Sequence, residues 1–498
     1  MIYNFNIGIG WASSGVEYAQ AYRANIFRRL GMKAKFVFTD MFSTENIEHM
    51  TKAIGFEDDE IIWLYTWFTD TGISPVTFTV DDLMKTITRR ATNIVKDQKR
   101  VKIDFGDGDF YTAYLADENS DRVHRVEIVS DNKLIRKDYY TYCKVYSEYY
   151  APLDKRAHLY QRRFFNKDGS VAYEELNDDE NVMYKFPDKV LYSKEELIGY
   201  MVRCLDLKSD DLVIIDRSTG IGQAVLKNHG DSKVGVVVHA DHFSEGVTDD
   251  TYIRWNNYYE YEFSQIRHID FFVTATDVQR DLMAEQFKKY KNATPRIETI
   301  PVGSVDELKY PKTSRRKHSL ITASRLASEK HVDWVIQAVI NARKEIPDLT
   351  LDIYGKGKEE ERLAKIISEH NAQDYIRLKG HCDLKEVYQE YEAYISGSTS
   401  EGFGLSVLEA IAAGLPVIGF DVRYGNQTFI ADGKNGYLIP WKESIESGEA
   451  VDGLADSLVR LFSEADMEAF HEKSYEIAGR YLTTEVEKRW KEVIEQTI

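Results

Sequence analysis

Between Thr71 and Lys194 the chain changes texture, and that change constrains its fold more than any other feature. Short alternating runs follow one another there, FTVDDL, RVKIDFG, FYTAYL, RVHRVEIVS and KLIRKDYYTY, punctuated by DGD, DEN and DN turns. Side chains of a strand point alternately to two faces, so the pattern predicts an antiparallel meander. On either side, apolar runs feed small-residue turns and then polar or helical segments, the mark of doubly wound parallel sheets. The first series opens with a strand over Tyr3 to Ile9, a WASSG loop, a helix over Val16 to Leu30 ending at Gly31, and the strand KFVF from Lys35. Ligands of such sheets sit beyond the carboxyl ends of strands, which places Ser13 to Gly15 well for one. The series resumes with DLVIIDRSTGIGQAVL from Asp211, VGVVVHADHF from Val234 and HIDFFVTATDVQRDLM from His268. A second series follows SRRKH: LITASR, a helix around His331 to Ala342, LTLDIYGKG, YIRLKGH, YISGSTSEGFGLSVLEAIAAGLPVIGF and GYLIP. The expected fold class is α/β, with two Rossmann-like domains facing a cleft. The first is discontinuous, 1–70 and 195–304, with a β-meander insert over 71–194; the second covers 305–480, and a closing helix over 481–498 is expected to pack back on the first.

The composition excludes several classes. At 498 residues, 43% hydrophobic and 29% charged, the chain is globular and large enough for several domains. Its 64 Lys and Arg against 82 Asp and Glu leave a formal charge of −18, which argues against nucleic-acid binding through a broad basic stripe. Cys143, Cys204 and Cys382 are far apart, so neither a disulfide framework nor a cysteine zinc site is encoded. No leader or membrane span is expected, because the apolar runs fall short of about 18 residues. A cytoplasmic protein fits best.

Three motifs carry chemistry. EGFGLSVLE, Glu401 to Glu409, follows a predicted strand and enters a helix stopped by Gly414 and Pro416. Its backbone N–H groups and helix start suit an anion. Glu401 should lie in the loop and Glu409 about two turns into the helix, where the acids could hold the sugar and ribose hydroxyls of a nucleotide sugar; an ordinary turn with a solvated loop acid and a helix acid is the alternative. In SRLASEK, Arg325 and Lys330 could converge on one diphosphate, or could be surface cations flanking a helix start. HADH holds His239 and His242, with His229 nearby, but lacks a third well-spaced zinc ligand, so a buried or capping histidine is favoured over metal. GKG, Gly355 to Gly357, gains weight only beside these neighbours.

SRLASEK and EGFGLSVLE, with YGKG between them and AAGLPVI after, resemble the donor domain of the large retaining glycosyltransferase family of GT-B fold, marked by two glutamates separated by seven residues. More narrowly, GIGWASSGVEYAQAYR and the tyrosine-rich insert resemble the A subunits of the accessory-Sec O-GlcNAc transferase pairs of Gram-positive bacteria. The resemblance implies that Arg325 and Lys330 neutralise the departing diphosphate and that Glu409 holds the ribose. Glu401, with the backbone of Gly402, Phe403, Gly404 and Leu405, would grip the donor sugar and distal phosphate. His381 and Cys382 would stand in the turn that reads uracil, Gly15, Val16, Glu17 and Tyr18 would approach the phosphates, and His242 would contact the sugar near the reacting carbon. It also implies transfer with retention, with no metal or other cofactor, the phosphate taking the acceptor proton.

The insert would be the platform for acceptor or partner. It spans much of the 101–200 stretch, which holds 13 of the 32 tyrosines, and Arg162 and Arg163 stand beside Phe164 and Phe165. Such a sheet could pair with an extended polypeptide; tyrosines and charges also suit an exposed two-sided sheet that binds nothing. The resemblance implies a companion B subunit of similar fold and an unfolded Ser/Thr-rich adhesin as acceptor; a few basic patches on the acidic chain permit weak peripheral membrane association. The leading expectation is a catalytic subunit moving N-acetylglucosamine from UDP-GlcNAc to Ser/Thr before export. UDP-glucose as donor, a wall teichoic acid glycosyltransferase, and a noncatalytic adhesin-binding subunit are the alternatives.

Overall fold

The computed structural model describes residues 1–9, 15–178 and 181–498, and contacts divide the chain into two compact units. One comprises Met1–Val237, Trp255–Phe271 and Thr497–Ile498; the other, Val238–Arg254 and Phe272–Gln496.

In the first unit, Lys233–Val238, Leu212–Ile215, Ile2–Asn6, Ala34–Phe38 and Ile61–Trp63 lie side by side in that order, all parallel. Every residue of Leu212–Ile215 is buried, as a strand covered on both faces requires. The opening strand stops at Asn6, short of the expected Ile9, where the Asn6 Oδ1 accepts the Ile7 N–H at 2.8 Å and takes the place of a ladder partner. Helix Gly15–Arg29 closes as expected at Gly31, whose φ of +68° accompanies a Met32 N–H bond back to the Phe27 carbonyl. The expected ligand positions Ser13 and Ser14 lie outside the described residues.

The meander forms a ten-stranded sheet from Asn93–Lys96 to Val190–Leu191, in which each strand pairs antiparallel with the next. Two of its turns, Asp131–Asn132 and Asp154–Lys155, have positive φ at both central residues, the geometry that matches strand twist. Aromatic rings stack across the strands: Tyr139 on Tyr146 at 4.2 Å between centroids, Phe164 on Tyr173 at 4.4 Å and Tyr173 on Phe186 at 4.8 Å. Tyr65 stacks on Phe164, while the Tyr173 and Tyr146 hydroxyls donate to the carbonyls of Tyr65 and Phe42. These tyrosines root the sheet on the parallel layer, so they serve packing as well as strand formation.

The second unit holds a six-stranded parallel sheet in the order Ile376–Gly380, Thr350–Tyr354, Ser319–Ala323, Ala393–Ile395, Val417–Phe420, Gly436–Ile439. Helix Val332–Ala342 packs through the fully buried Val335, Ile336 and Val339. The closing helix, Thr483–Glu495, lies within this unit, where the Arg489 guanidinium donates to the Thr299 carbonyl at 3.3 Å. Among the described residues, no helix is long and apolar enough to cross a membrane.

Candidate active site

The strand order of the second unit reverses between Ser319–Ala323 and Ala393–Ile395, and such a switch point opens a crevice beyond the strand ends. The two sequence motifs emerge there, SRLASEK after the first strand and the segment leading into EGFG after the second. Backbone fit holds them close. A β carbon at Gly355 would stand 1.8 Å from the Ser324 carbonyl oxygen, one at Gly357 2.2 Å from that of Leu326, and one at Gly397 2.6 Å from that of His331. The GKG turn is therefore a packing surface for the SRLA loop, which accounts for its place between the two motifs.

The Lys330 ammonium donates to Glu401 Oε2 at 2.7 Å, both side chains being largely buried at 15% and 20% exposure. Arg325 does not join them. Its side chain is 80% exposed and meets Glu329 at 3.3 Å, a surface pair worth about 0–1 kcal/mol that an anion could readily replace. Glu401 is held by its backbone: its carbonyl accepts N–H bonds from Tyr424 and Gly425, both at 2.8 Å. Gly402 is exposed and Phe403 buried, while Gly404, at φ +88°, caps helix Leu405–Ala412. That helix starts late enough that Glu409 sits only about one turn in, not two. Burial pushes the Glu409 carboxyl above its ordinary value, against the hydroxyl of Tyr388, which donates to it at 3.1 Å. The residue as a whole is nevertheless exposed, so only its carboxyl end is enclosed, against Tyr388. His381 and Cys382 are exposed just past Ile376–Gly380.

His242 also falls in the second unit. Its ring is fully enclosed, Nε2 lying 2.7 Å from Gln286 Oε1 and Nδ1 3.3 Å from the Tyr424 hydroxyl. Burial lowers its pKa to about 4, opposed by the Gln286 bond, so the ring is neutral near pH 7. The neutral tautomer with Nε2 protonated donates to Gln286 and accepts from Tyr424. With both nitrogens engaged, the imidazole positions its own segment, and the expected sugar contact would require one of these two bonds to be exchanged. The zinc alternative loses its ligand for the same reason. A β carbon at Gly402 would meet the His239 carbonyl oxygen at 3.6 Å, so the HADH segment and the EGFG loop are neighbours.

In the first unit, Gly15 and Tyr18 are exposed at the helix start and Val16 is half-buried. Glu17 is buried instead, 3.4 Å from the Asn6 amide and 3.4 Å from the Arg217 guanidinium. Through these contacts it holds the helix to the strand ends. Gln20 and Arg23 continue that network to Asp216 at 2.7 and 2.5 Å.

The insert corrects the expected platform residues. Phe164 and Phe165 lie in the interior, and Arg162 is largely buried between Glu148, at 3.0 Å, and Glu175. Only Arg163 of the four is substantially exposed, and it pairs with Glu174 at 2.8 Å. Cross-strand register puts each cation opposite an acid 11 to 14 residues away, so the basic aromatic segment is internally neutralised.

Sequence reasoning missed Tyr424, Gln286 and Tyr388, which fix His242, Glu401 and Glu409. Tyr424 and Gln286 lie 182 and 44 residues from His242, too far for any local spacing to show.

The parallel sheet and its switch-point loops have the form of the donor domain of a GT-B glycosyltransferase, and the matches to known proteins show that class. Residues 306–457 match the family described as glycosyl transferases group 1, and 93–188 match the GtfA extended beta-sheet domain. The chain is 51% identical, over 99% of its length and 98% of the relative's, to the UDP-N-acetylglucosamine–peptide N-acetylglucosaminyltransferase GtfA subunit of Streptococcus gordonii. The crystal structure of the pneumococcal O-GlcNAc transferase GtfA in complex with UDP and GlcNAc is 49% identical, with a TM-score of 0.91 over 100% of this chain and 98% of that one. A crystal structure of a GtfA/B complex is 51% identical, with a TM-score of 0.97 over 100% and 99%. The chain belongs to the GtfA subunit family.

Proposed function

We propose that this chain is the catalytic subunit of a retaining O-glycosyltransferase that moves N-acetylglucosamine from UDP-GlcNAc to serine and threonine hydroxyls of an unfolded, serine-rich adhesin before its export. The observation that carries the reading is the Lys330–Glu401 pair at the switch point, tied through the Glu401 backbone and Tyr424 to a neutral His242. A lysine that a carboxylate already orients can turn to a diphosphate without reorganising its loop. Arg325, held only by Glu329, can swing to the same charge. Together with the helix starting at Leu405 they would stabilise departing UDP without a metal ion. Glu409 would hold the ribose, and exposed His381 and Cys382 would offer the backbone of their turn to uracil. The acceptor oxygen bonds to the anomeric carbon as the bond to UDP breaks, and its proton passes to the departing phosphate. The names of the relatives support N-acetylglucosamine as the sugar, and the GtfA/B complex supports a companion subunit, to which this reading gives the task of presenting acceptor. The reading places the protein in the cytoplasm, with peripheral contact at the inner membrane face.

The test is a radiolabelled-donor assay in EDTA, UDP-GlcNAc and UDP-glucose in parallel, with an unfolded Ser/Thr-rich peptide and a teichoic acid, with and without the companion subunit. Incorporation of GlcNAc into peptide, raised by the companion, is expected. Transfer to teichoic acid alone would overturn the acceptor, and peptide binding without turnover, metal included, would make this a noncatalytic subunit.

A further inference from the structure

The strand order of the first unit reverses between Ile2–Asn6 and Leu212–Ile215, and the turn that follows the second strand covers a group that the mechanism above does not use. Glu262, on the short helix Glu260–Ser264, is 1% exposed, and neither carboxylate oxygen has a hydrogen-bond partner. The carboxyl presses on Gly222, where a β carbon would stand 1.7 Å from Oε1, so any side chain there would have to displace the carboxyl. Ser218, in the same turn, buries a hydroxyl that also lacks a partner. Its β carbon is 3.5 Å from the point a Gly222 side chain would start from. Burial drives the Glu262 carboxyl up to about 7, opposed by its own backbone and by the Ser218 hydroxyl, which is near enough to act on its charge without completing a bond.

A buried acid and a buried hydroxyl side by side, both unsatisfied, carry a desolvation cost that no hydrogen bond offsets. Such groups persist where a small shift on binding completes them. The crest above them is open: Thr219 and Gly220 are exposed, and Arg217 is about a third exposed. Its charges are nearly balanced, Arg217 by Glu17 and Arg23 by Asp216, and an ionised Glu262 adds a negative one. That balance is wrong for a diphosphate and right for a neutral chain of hydroxyls and amides.

We infer that Glu262 is a positioning residue for the polypeptide acceptor, its carboxyl closing onto the Ser218 hydroxyl and fixing the 217–220 turn against the acceptor's hydroxyl and amide groups. The inference rests on the acceptor proposed above. The experiment is steady-state kinetics of the full chain with its companion subunit, varying an unfolded Ser/Thr-rich peptide at saturating UDP-GlcNAc, and the reverse. Glu262→Gln and Ser218→Ala should each raise the peptide KM about tenfold, leaving the UDP-GlcNAc KM and donor hydrolysis within about twofold. The double variant should be no worse than either single, because both act through one contact. Ser218→Ala removes a single hydroxyl and keeps the test standing if Glu262→Gln fails to fold. An unchanged peptide KM, additive losses or a shift in donor KM would overturn the role of Glu262 while the functional reading stood. Wild-type protein that transfers to no peptide would overturn the functional reading itself, and this inference with it.

Discussion

Two regions of this chain set cations beside acids in a half-buried setting, and they do opposite things with them. In the insert, Arg162 lies between Glu148 and Glu175, and Glu148 also accepts from the hydroxyls of Tyr139 at 2.8 Å and Tyr150 at 2.6 Å. Each of these three donors is answered within the sheet. At the switch point, Lys330 meets the one carboxylate of Glu401, Arg325 has only a weak surface partner, and Glu409 has a single tyrosine. The lesson is that density of charge and aromatics does not mark a site; unfilled bonding capacity near a crevice does.

Four measurements would break or sharpen that contrast. The largest effect should come from Arg162→Ala, which leaves two buried acids uncompensated and should cost about 3–5 kcal/mol in chemical denaturation, with donor hydrolysis kept in the folded fraction. A loss under 1 kcal/mol would show that the sheet is not held by this triad. Glu401→Gln should act mainly on turnover, lowering transfer by about 10²–10³-fold, on the order of 3–4 kcal/mol in the barrier, with a smaller loss of stability because the amide oxygen still accepts from Lys330. Equal losses of stability and turnover would make Glu401 structural, as Glu148 is.

The third concerns pH. His242 is held near 4 by burial, below its ordinary 6.5, so the unfolded chain takes the proton first. Its contribution is complete above about pH 6.5 and is lost as pH falls toward 4. Denaturation midpoints should drop over that window, and His242→Gln should flatten the slope; an identical slope would remove His242 from the account. The smallest effect belongs to Arg163→Ala, expected to change stability by under about 0.5 kcal/mol, since its pair with Glu174 is on the surface. A marked fall in companion binding at that variant would restore the platform role that its three neighbours have lost.

Much of this was legible in sequence. Alternation over the insert, the apolar runs feeding glycine turns, and the two motifs later found at one switch point followed from local chemistry. What stayed hidden depended on register and on contacts across long separations. Nothing near Glu17 announces that Asn6 and Arg217 enclose it, and nothing in QRRFF says that residues 148 and 175 sit opposite residue 162. Glu409 was placed a turn too deep because the helix start is set by Gly404 in a left-handed conformation, which the spacing of the acids does not encode.

The glycines around the switch point bear on how such a protein can change. At Gly355, Gly357, Gly397 and Gly425 a single added methyl would collide with a main-chain oxygen at 2.6 Å or less. A collision with main chain cannot be relieved by turning a rotamer, so those positions admit no variation however long selection searches. The loops are a fixed mould. A descendant that came to take a different sugar would therefore differ in the side chains that line the crevice, and would trace the same backbone around it.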